Sequence, residues 1–136
     1  MQNAECRNFN KKEFFIMPIR NFLEIEPVIA ECHDGKGLVE VRSIYAREDF
    51  ESSMQFIHYT VLPPGSSIGL HPHGNDEEVY VILEGSGIME VDGKKTLVSR
   101  GDTVLNKPYG AHALYNTSDE DELKILVFEV VKENTK

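Results

Sequence analysis

The chain has 136 residues, the size of one ordinary domain, and 40% of them are hydrophobic and 27% charged. Its 14 Lys and Arg stand against 23 Asp and Glu, and the resulting formal net charge of −9 repels nucleic acid and anionic membranes. No run of about 18 apolar residues occurs, so the sequence predicts no membrane-spanning helix. We therefore expect a small-molecule ligand as partner, and neither nucleic acid nor a membrane.

The first thirty or so residues are the less regular part of the chain. The first fifteen are polar, lack the apolar centre of a signal peptide and predict a cytoplasmic location. Apolar residues between Phe14 and Phe22 provide surface that packs on the rest of the fold or on a second subunit. We expect a homodimer in which this arm makes the contact. The two cysteines, Cys6 and Cys32, have no CxxC spacing and are expected to be reduced thiols.

From residue 38 onward, short segments rich in β-branched and aromatic residues alternate with breaks containing Gly, Pro, Asn and Asp. This pattern predicts an all-β sandwich or barrel. The pair Asp92-Gly93 predicts a two-residue hairpin, because both turn positions require positive φ. No linker divides the chain, so we expect one structural domain with an arm at residues 1–50 and a barrel at residues 51–136. The expected strands are Leu38–Tyr45, Met54–Leu62, Val79–Leu83, Gly87–Val91, Lys95–Val98, Thr103–Leu105, Ala111–Tyr115 and Lys124–Val131.

The stretch Gly65–Gly85 contains the clearest candidate site. His71 and His73 are two positions apart, so on an extended strand their imidazoles project from the same face. Glu78 follows a short turn that allows the chain to bring a carboxylate back beside the pair, and His112 stands in a later segment. Three imidazoles and one carboxylate suit Mn, Fe, Co, Ni, Cu or Zn better than Ca or Mg. The alternative is a set of histidines that are only hydrogen-bonded. The dipeptide Cys32-His33 is expected to have no part in the site, because neighbours on a strand face opposite sides.

The glycines and spacings around these residues resemble the two motifs of the cupin superfamily. The first, G(X)5HXH(X)3–4E(X)6G, is met at every position by Gly65, His71, His73, Glu78 and Gly85. The second, G(X)5PXG(X)2H(X)3N, is met in order by Gly101, Pro108, Gly110, His112 and Asn116, with Pro108 and Gly110 each one position late. The resemblance covers about residues 54–131. It implies an all-β double-stranded β-helix, or jelly-roll barrel, that holds one divalent transition metal on His71, His73, Glu78 and His112.

Glu77 is the rival of Glu78 as a metal ligand. Strand alternation places Tyr80 and Ile82 on the same face as Glu78, whereas Glu77 would share its face with aliphatic side chains only. The spacing of the family motif also selects Glu78, although a carboxylate at this position either binds the ion or stands off it. Tyr80 is the predicted catalytic residue, a donor of a hydrogen bond or proton near the metal. The alternative for Tyr80 is a packed aromatic side chain.

The resemblance implies two functions of different class. The first is a metal-dependent enzyme that acts on a small oxygen-rich substrate, such as a dicarboxylate, a hydroxylated ring or a sugar acid, as a dioxygenase, decarboxylase or isomerase. The second is a metal-stabilised binding or sensor module without turnover. Turnover requires an acid or base besides the ligands, so a titratable group near the open face of the metal discriminates between them. The motifs alone select neither the substrate, the reaction nor the ion.

Overall fold

Ten antiparallel strands form two facing sheets in the computed structural model, which describes residues 18–132. Two single turns of 3-10 helix, Phe22–Glu24 and Arg47–Asp49, accompany them. No helix among these residues is long and apolar enough to cross a membrane. The strands are β1 (Val28–Ala30), β2 (Val39–Tyr45), β3 (Met54–Leu62), β4 (Ser67–Pro72), β5 (Asp76–Glu84), β6 (Ser86–Val91), β7 (Lys94–Ser99), β8 (Thr103–Asn106), β9 (Ala111–Tyr115) and β10 (Leu123–Val131).

The larger sheet has the order β1-β2-β3-β10-β5-β8, and the smaller sheet has the order β4-β9-β6-β7. This confirms the expected all-β jelly-roll fold. Strands β1 and β2 lie within the predicted arm, and β2 pairs with β3 so that Val41 faces Thr60. The contact of the arm with a second subunit stays a prediction.

The hairpin between β6 and β7 follows from its turn residues. Val91 pairs with Lys94, and between them Asp92 has φ 49° and Gly93 φ 84°. Both central residues therefore adopt the left-handed conformation that a two-residue hairpin requires. The predicted hairpin is confirmed.

Side chains alternate along β5 between the barrel interior and its outer face. Glu78, Tyr80 and Ile82 are buried, whereas their neighbours Val79 and Val81 are only half-buried. The apolar side chains between the two sheets form one continuous core. Its fully buried members include Val39, Leu62, Leu114, Leu123 and Ile125.

Cys32 borders this core and is disulfide-bonded. The expectation of a reduced thiol at this position is therefore wrong. The spacing of the cysteines did not predict this disulfide bond, because a missing CxxC pattern says nothing about contacts between distant positions. Cys6, the other cysteine of the chain, lies outside the described residues.

Candidate metal centre

Four side chains from three strands and one turn meet at one end of the barrel interior. His71 lies on β4, His73 directly after it, Glu78 on β5 and His112 on β9. One ligand atom from each lies within 4.8 Å of all the others, and all four residues are buried. Strand pairing fixes this arrangement, because His71 faces His112 across the β4–β9 ladder. The structure therefore brings together the four residues that the motifs selected.

Hydrogen bonds orient two of the imidazoles toward the centre of the cluster. Nδ1 of His71 lies 2.7 Å from the carbonyl oxygen of Gly69, and Nδ1 of His73 lies 2.5 Å from Oδ2 of Asp76. An imidazole whose Nδ1 proton is held by such an acceptor has Nε2 as its metal-binding atom, which binds an ion once it carries no proton. Outer partners of this kind are a common feature of metal-binding histidines.

The Nε2 atoms and the carboxylate crowd together. Nε2 of His73 and of His112 are 3.2 Å apart, and Oε1 of Glu78 lies 3.0 Å from the His112 nitrogen and 3.3 Å from the His73 nitrogen. Burial alone would raise the pKa of the Glu78 carboxyl, but hydrogen bonds from His112 and His73 outweigh it and lower this pKa to about 2. Glu78 is therefore a buried anion that accepts hydrogen bonds from these imidazoles.

His71 provides the test of whether a metal fits. Its Nε2 is buried and has no hydrogen-bond partner among residues 18–132. Burial, followed by the neighbouring imidazoles His112 and His33, lowers the pKa of His71 to about 3, so protonation does not satisfy this nitrogen near neutral pH. An unsatisfied buried nitrogen beside a buried carboxylate suits a divalent cation, which would satisfy both groups. The mixed N/O set fits a divalent transition metal and leaves its identity open.

Tyr80, the predicted catalytic residue, lies beside the cluster. Its hydroxyl is 3.4 Å from Nε2 of His112. Burial, followed by the negative charges of Glu78 and Glu129, raises the pKa of Tyr80 well above 10. The phenol thus keeps its proton at neutral pH, where it serves as a hydrogen-bond donor and not as a base.

A cavity of about 30 Å³ opens beside Glu78 and Tyr80. Its other polar lining comes from His33, His58 and Thr60, and its apolar lining consists of Cys32, Val41, Phe56, Ile68 and Val127. A cavity needs about 10–15 Å³ to hold one water molecule, so this cavity admits a group of only a few atoms. Of the four cluster residues Glu78 lines this chamber, so the cluster meets it on the Glu78 side.

His33 lies beside this site, although it was expected from the sequence to have no part there. Its ring stacks on that of His71, with centroids 3.5 Å apart and planes 7° from parallel. Burial lowers the pKa of His33 to about 4. His33 lies in a turn, outside every predicted strand, so the argument from strand alternation did not apply to it. Its sole sequence signal was its place between Cys32 and the turn-forming Asp34-Gly35.

Glu129 is a second missed residue. It lies on β10, directly opposite Glu78 in the β10–β5 ladder, and is 2% exposed. Glu129 forms a side-chain hydrogen bond with Asp76, which in turn contacts His73. In sequence it occupies an alternating strand position where a glutamate more often faces solvent. Glu77, the rival ligand, is absent from the described metal-binding groups.

Comparison with protein families matches residues 58–129, more than half of the chain, to the cupin domain. The chain belongs to the cupin family. This cupin is 34% identical over 99 residues to an oxalate-binding protein from Thermotoga maritima, covering 72% of this chain and 82% of that protein. It is also 28% identical over 102 residues to a 5-nitrosalicylic acid 1,2-dioxygenase from a Bradyrhizobium species, covering 75% of this chain but only 46% of the dioxygenase.

Solved structures agree with this assignment. The crystal structure of a predicted oxalate decarboxylase from Thermotoga maritima superposes with a TM-score of 0.81 at 30% identity, covering 84% of this cupin and 99% of that chain. A cupin-like protein from the same organism gives a TM-score of 0.62 at 22% identity, covering 71% of each chain. The second likeness shows the fold alone.

Proposed function

We propose that this cupin binds one divalent transition metal on His71, His73, Glu78 and His112 and uses it to bind a short dicarboxylate of the oxalate class. The observation that carries the proposal is the buried ligand cluster with the unsatisfied Nε2 of His71, whose Glu78 also lines a cavity of about 30 Å³. A relative named as an oxalate-binding protein supports the same ligand class.

The size of the cavity separates the candidate substrates. About 30 Å³ accommodates part of a two-carbon dicarboxylate whose oxygens lie on the ion. A nitrosalicylate ring or a sugar acid would extend further beyond this cavity than a two-carbon dicarboxylate does, so the chamber suits the short dicarboxylate best. The likeness to the nitrosalicylate dioxygenase, which spans less than half of that protein, therefore adds little support for ring cleavage.

We further propose that Tyr80 assists turnover, which makes the protein a decarboxylase-type enzyme. A bound divalent metal supplies a Lewis acid that polarises a carboxylate. Tyr80 keeps its proton at neutral pH, its hydroxyl oxygen lies 3.4 Å from a ligand nitrogen, and its side chain lines the cavity. The second candidate, binding without turnover, is favoured by the raised pKa of Tyr80, which leaves this residue a hydrogen-bond donor and not a base.

The test begins with elemental analysis of protein purified without chelator or nickel resin, beside a His71→Ala/His73→Ala double variant. We expect close to one transition-metal ion per wild-type chain and none in the variant. Isothermal titration with oxalate then follows for metal-loaded and metal-stripped protein. Oxalate binding that needs the metal supports the proposal, and equal binding to stripped protein contradicts it. Formate or carbon dioxide release from oxalate distinguishes the enzyme from the binding module.

The homodimer and the cytoplasmic location remain proposals. Large apolar side chains near the start of the described chain are exposed, among them Ile19 (84%) and Leu23 (69%). Ile29, on the edge strand β1, is 59% exposed, and an apolar sheet edge of this kind suits a second copy of the chain. A monomeric mass by light scattering at micromolar concentration would contradict the proposed homodimer.

A further inference from the structure

His33 reaches the metal centre from outside the residues that match the cupin family. It precedes the matched range 58–129 by 25 positions, yet its ring covers that of His71 and lines the same cavity as Glu78 and Tyr80. The family pattern therefore assigns it no role. Its contact with a candidate ligand residue calls for a physical explanation.

The backbone around His33 is held in an uncommon conformation. His33 has φ 55° and Asp34 φ 56°, two consecutive non-glycine residues in the left-handed region. Such residues are infrequent and cluster at functional sites, where surrounding contacts maintain them. Here the strained turn directs the His33 side chain into the barrel, because the stacked ring of His71 lies on that side.

Strand β4 fixes this turn by close backbone contact. The amide of Gly69 donates to the carbonyl of Cys32 at 3.1 Å, and the amide of Ser67 donates to the carbonyl of Lys36 at 2.9 Å. A Cβ at Gly69 would lie 2.0 Å from the carbonyl oxygen of His33, so only glycine permits this approach. The same strand carries His71, and therefore the turn and the metal ligand form one unit.

The cavity has polar groups but no fixed cation. Within residues 18–132 its lining includes His33, His58, Thr60 and Tyr80, and neither lysine nor arginine. A ligand anion must therefore be neutralised by the metal, while the side chains contribute hydrogen bonds and shape. A ring that covers a ligand histidine and borders the cavity is placed to make such a hydrogen bond.

We propose that His33 is a specificity-determining residue that hydrogen-bonds an oxygen of the metal-bound ligand and closes the cavity to longer dicarboxylates. This rests on the proposed function. Both carboxylates of oxalate reach one ion, whereas the second carboxylate of succinate would lie against the aliphatic wall of Val41, Ile68 and Val127 without a cation. The geometry thus favours oxalate over malonate, and malonate over succinate.

The experiment uses the full chain loaded with Co²⁺, whose visible spectrum reports the ligands of the ion independently of turnover. Oxalate, malonate and succinate are titrated into wild type, His33→Phe, which keeps a stacking ring without a hydrogen-bonding nitrogen, and His33→Asn, a residue type tolerated at positive φ. Asp34→Asn is the matched control, because Asp34 shares the strained turn but is exposed. We expect one Co²⁺ per chain in all four proteins.

Oxalate affinity should fall about 10- to 100-fold in His33→Phe and His33→Asn and stay unchanged in Asp34→Asn, because a hydrogen bond to a charged group is lost only in the first two. Oxalate affinity equal to that of wild type in both His33→Phe and His33→Asn would overturn the role proposed for His33 and leave the proposed function intact. Loss of Co²⁺ from both His33 variants would also overturn it, since His33 would then act by holding His71. A cobalt-loaded wild type that binds none of the three acids would overturn the ligand class of the proposed function, and the role proposed for His33 with it.

Discussion

The two ends of the barrel interior share their strands but differ in chemistry. We call the cluster His71, His73, Glu78 and His112 the metal end, and the fully buried group Leu62, Leu114, Leu123 and Ile125 the apolar end. On three neighbouring strands the inward-facing side chains change from polar at the metal end to apolar at the apolar end. In that order they are His58, Thr60 and Leu62 on β3, Glu78, Tyr80 and Ile82 on β5, and Glu129, Val127, Ile125 and Leu123 on β10.

This gradient separates stability from function within one sheet. Burying apolar side chains stabilises the fold by roughly 25 cal/mol per Å² of apolar surface, whereas buried imidazoles and carboxylates must be desolvated and then paired. Polar groups at the metal end are partly paired with one another, and Nε2 of His71 has no partner among the described residues. We therefore expect the apolar end to stabilise the fold with or without metal, and the metal end to contribute fully only when an ion is bound.

The largest effect should come from the apolar end. Leu62→Ala removes a side chain that is 0% exposed, and such cavities cost about 2–5 kcal/mol of the free energy of unfolding. Urea unfolding of metal-free and metal-loaded protein should show the same loss. Leu97→Ala is the control, because Leu97 is 78% exposed and should change stability by no more than about 0.5 kcal/mol. A loss in Leu62→Ala that disappears on metal loading would contradict the division of the barrel.

The second effect is the gain in stability on metal binding. With Mn²⁺ or Co²⁺ at about 100 times its Kd, the free energy of unfolding should rise by about 2.7 kcal/mol. His112→Ala removes a ligand and should abolish this gain, whereas Leu62→Ala should keep it. Calorimetric melting with and without chelator measures the difference. A gain that survives in His112→Ala would place the ion elsewhere.

The metal end was predictable to the extent that it depends on local periodicity. Strand alternation placed Glu78, Tyr80 and Ile82 on one face, and their burial agrees. The left-handed turn at Asp92 likewise follows from two residue types. Such features depend on neighbours within a few positions, and residue spacing records them directly.

His33 and Glu129 depend on contacts that residue spacing does not record. His33 reaches the site because a strained turn packs on Gly69, 36 positions away. Glu129 is buried because the strand pairing of β10 sets it opposite Glu78. Both are fixed by the assembled sheets, so the pattern of a single strand or turn gave no reason to select them.

The third prediction concerns the pH dependence of the metal-free protein. The pKa of His71 is about 3 and that of His33 about 4 in the fold, both mainly through burial, against 6.5 ordinarily. Between pH 6.5 and 5 the unfolded chain therefore binds more protons than the folded one. The free energy of unfolding should thus decrease as the pH is lowered from 6.5 to 5. Each group contributes at most about 1.4 kcal/mol per pH unit.

Urea unfolding in chelator at pH 7, 6.5, 6, 5.5 and 5 measures this slope. His33→Asn should make it shallower, because one of the two depressed imidazoles is gone. His73 acts in the opposite sense: burial lowers its pKa, but Glu78 and Asp76 outweigh burial and raise it. Its contribution is complete below pH 6.5 and is lost as pH rises through its raised pKa, so it leaves the lower window unaffected. A flat profile from pH 6.5 to 5 would contradict the prediction.

The smallest effect on stability should come from Tyr80, which lies between the two ends. Tyr80→Phe keeps the ring, which packs in the core and lies opposite Val104 in the β5–β8 pairing, and removes only a hydroxyl 3.4 Å from the His112 nitrogen. A neutral hydrogen bond contributes about 1 kcal/mol, and this one is long, so the free energy of unfolding should change by less than about 1 kcal/mol. Metal stoichiometry should stay at one, whereas oxalate affinity of the loaded protein should fall about tenfold, because the hydroxyl is placed to donate to the charged ligand. Calorimetry on one preparation measures both quantities. Unchanged oxalate affinity would instead assign Tyr80 to the packed interior of the apolar end, and the division of the barrel would then lie between Glu78 and Tyr80.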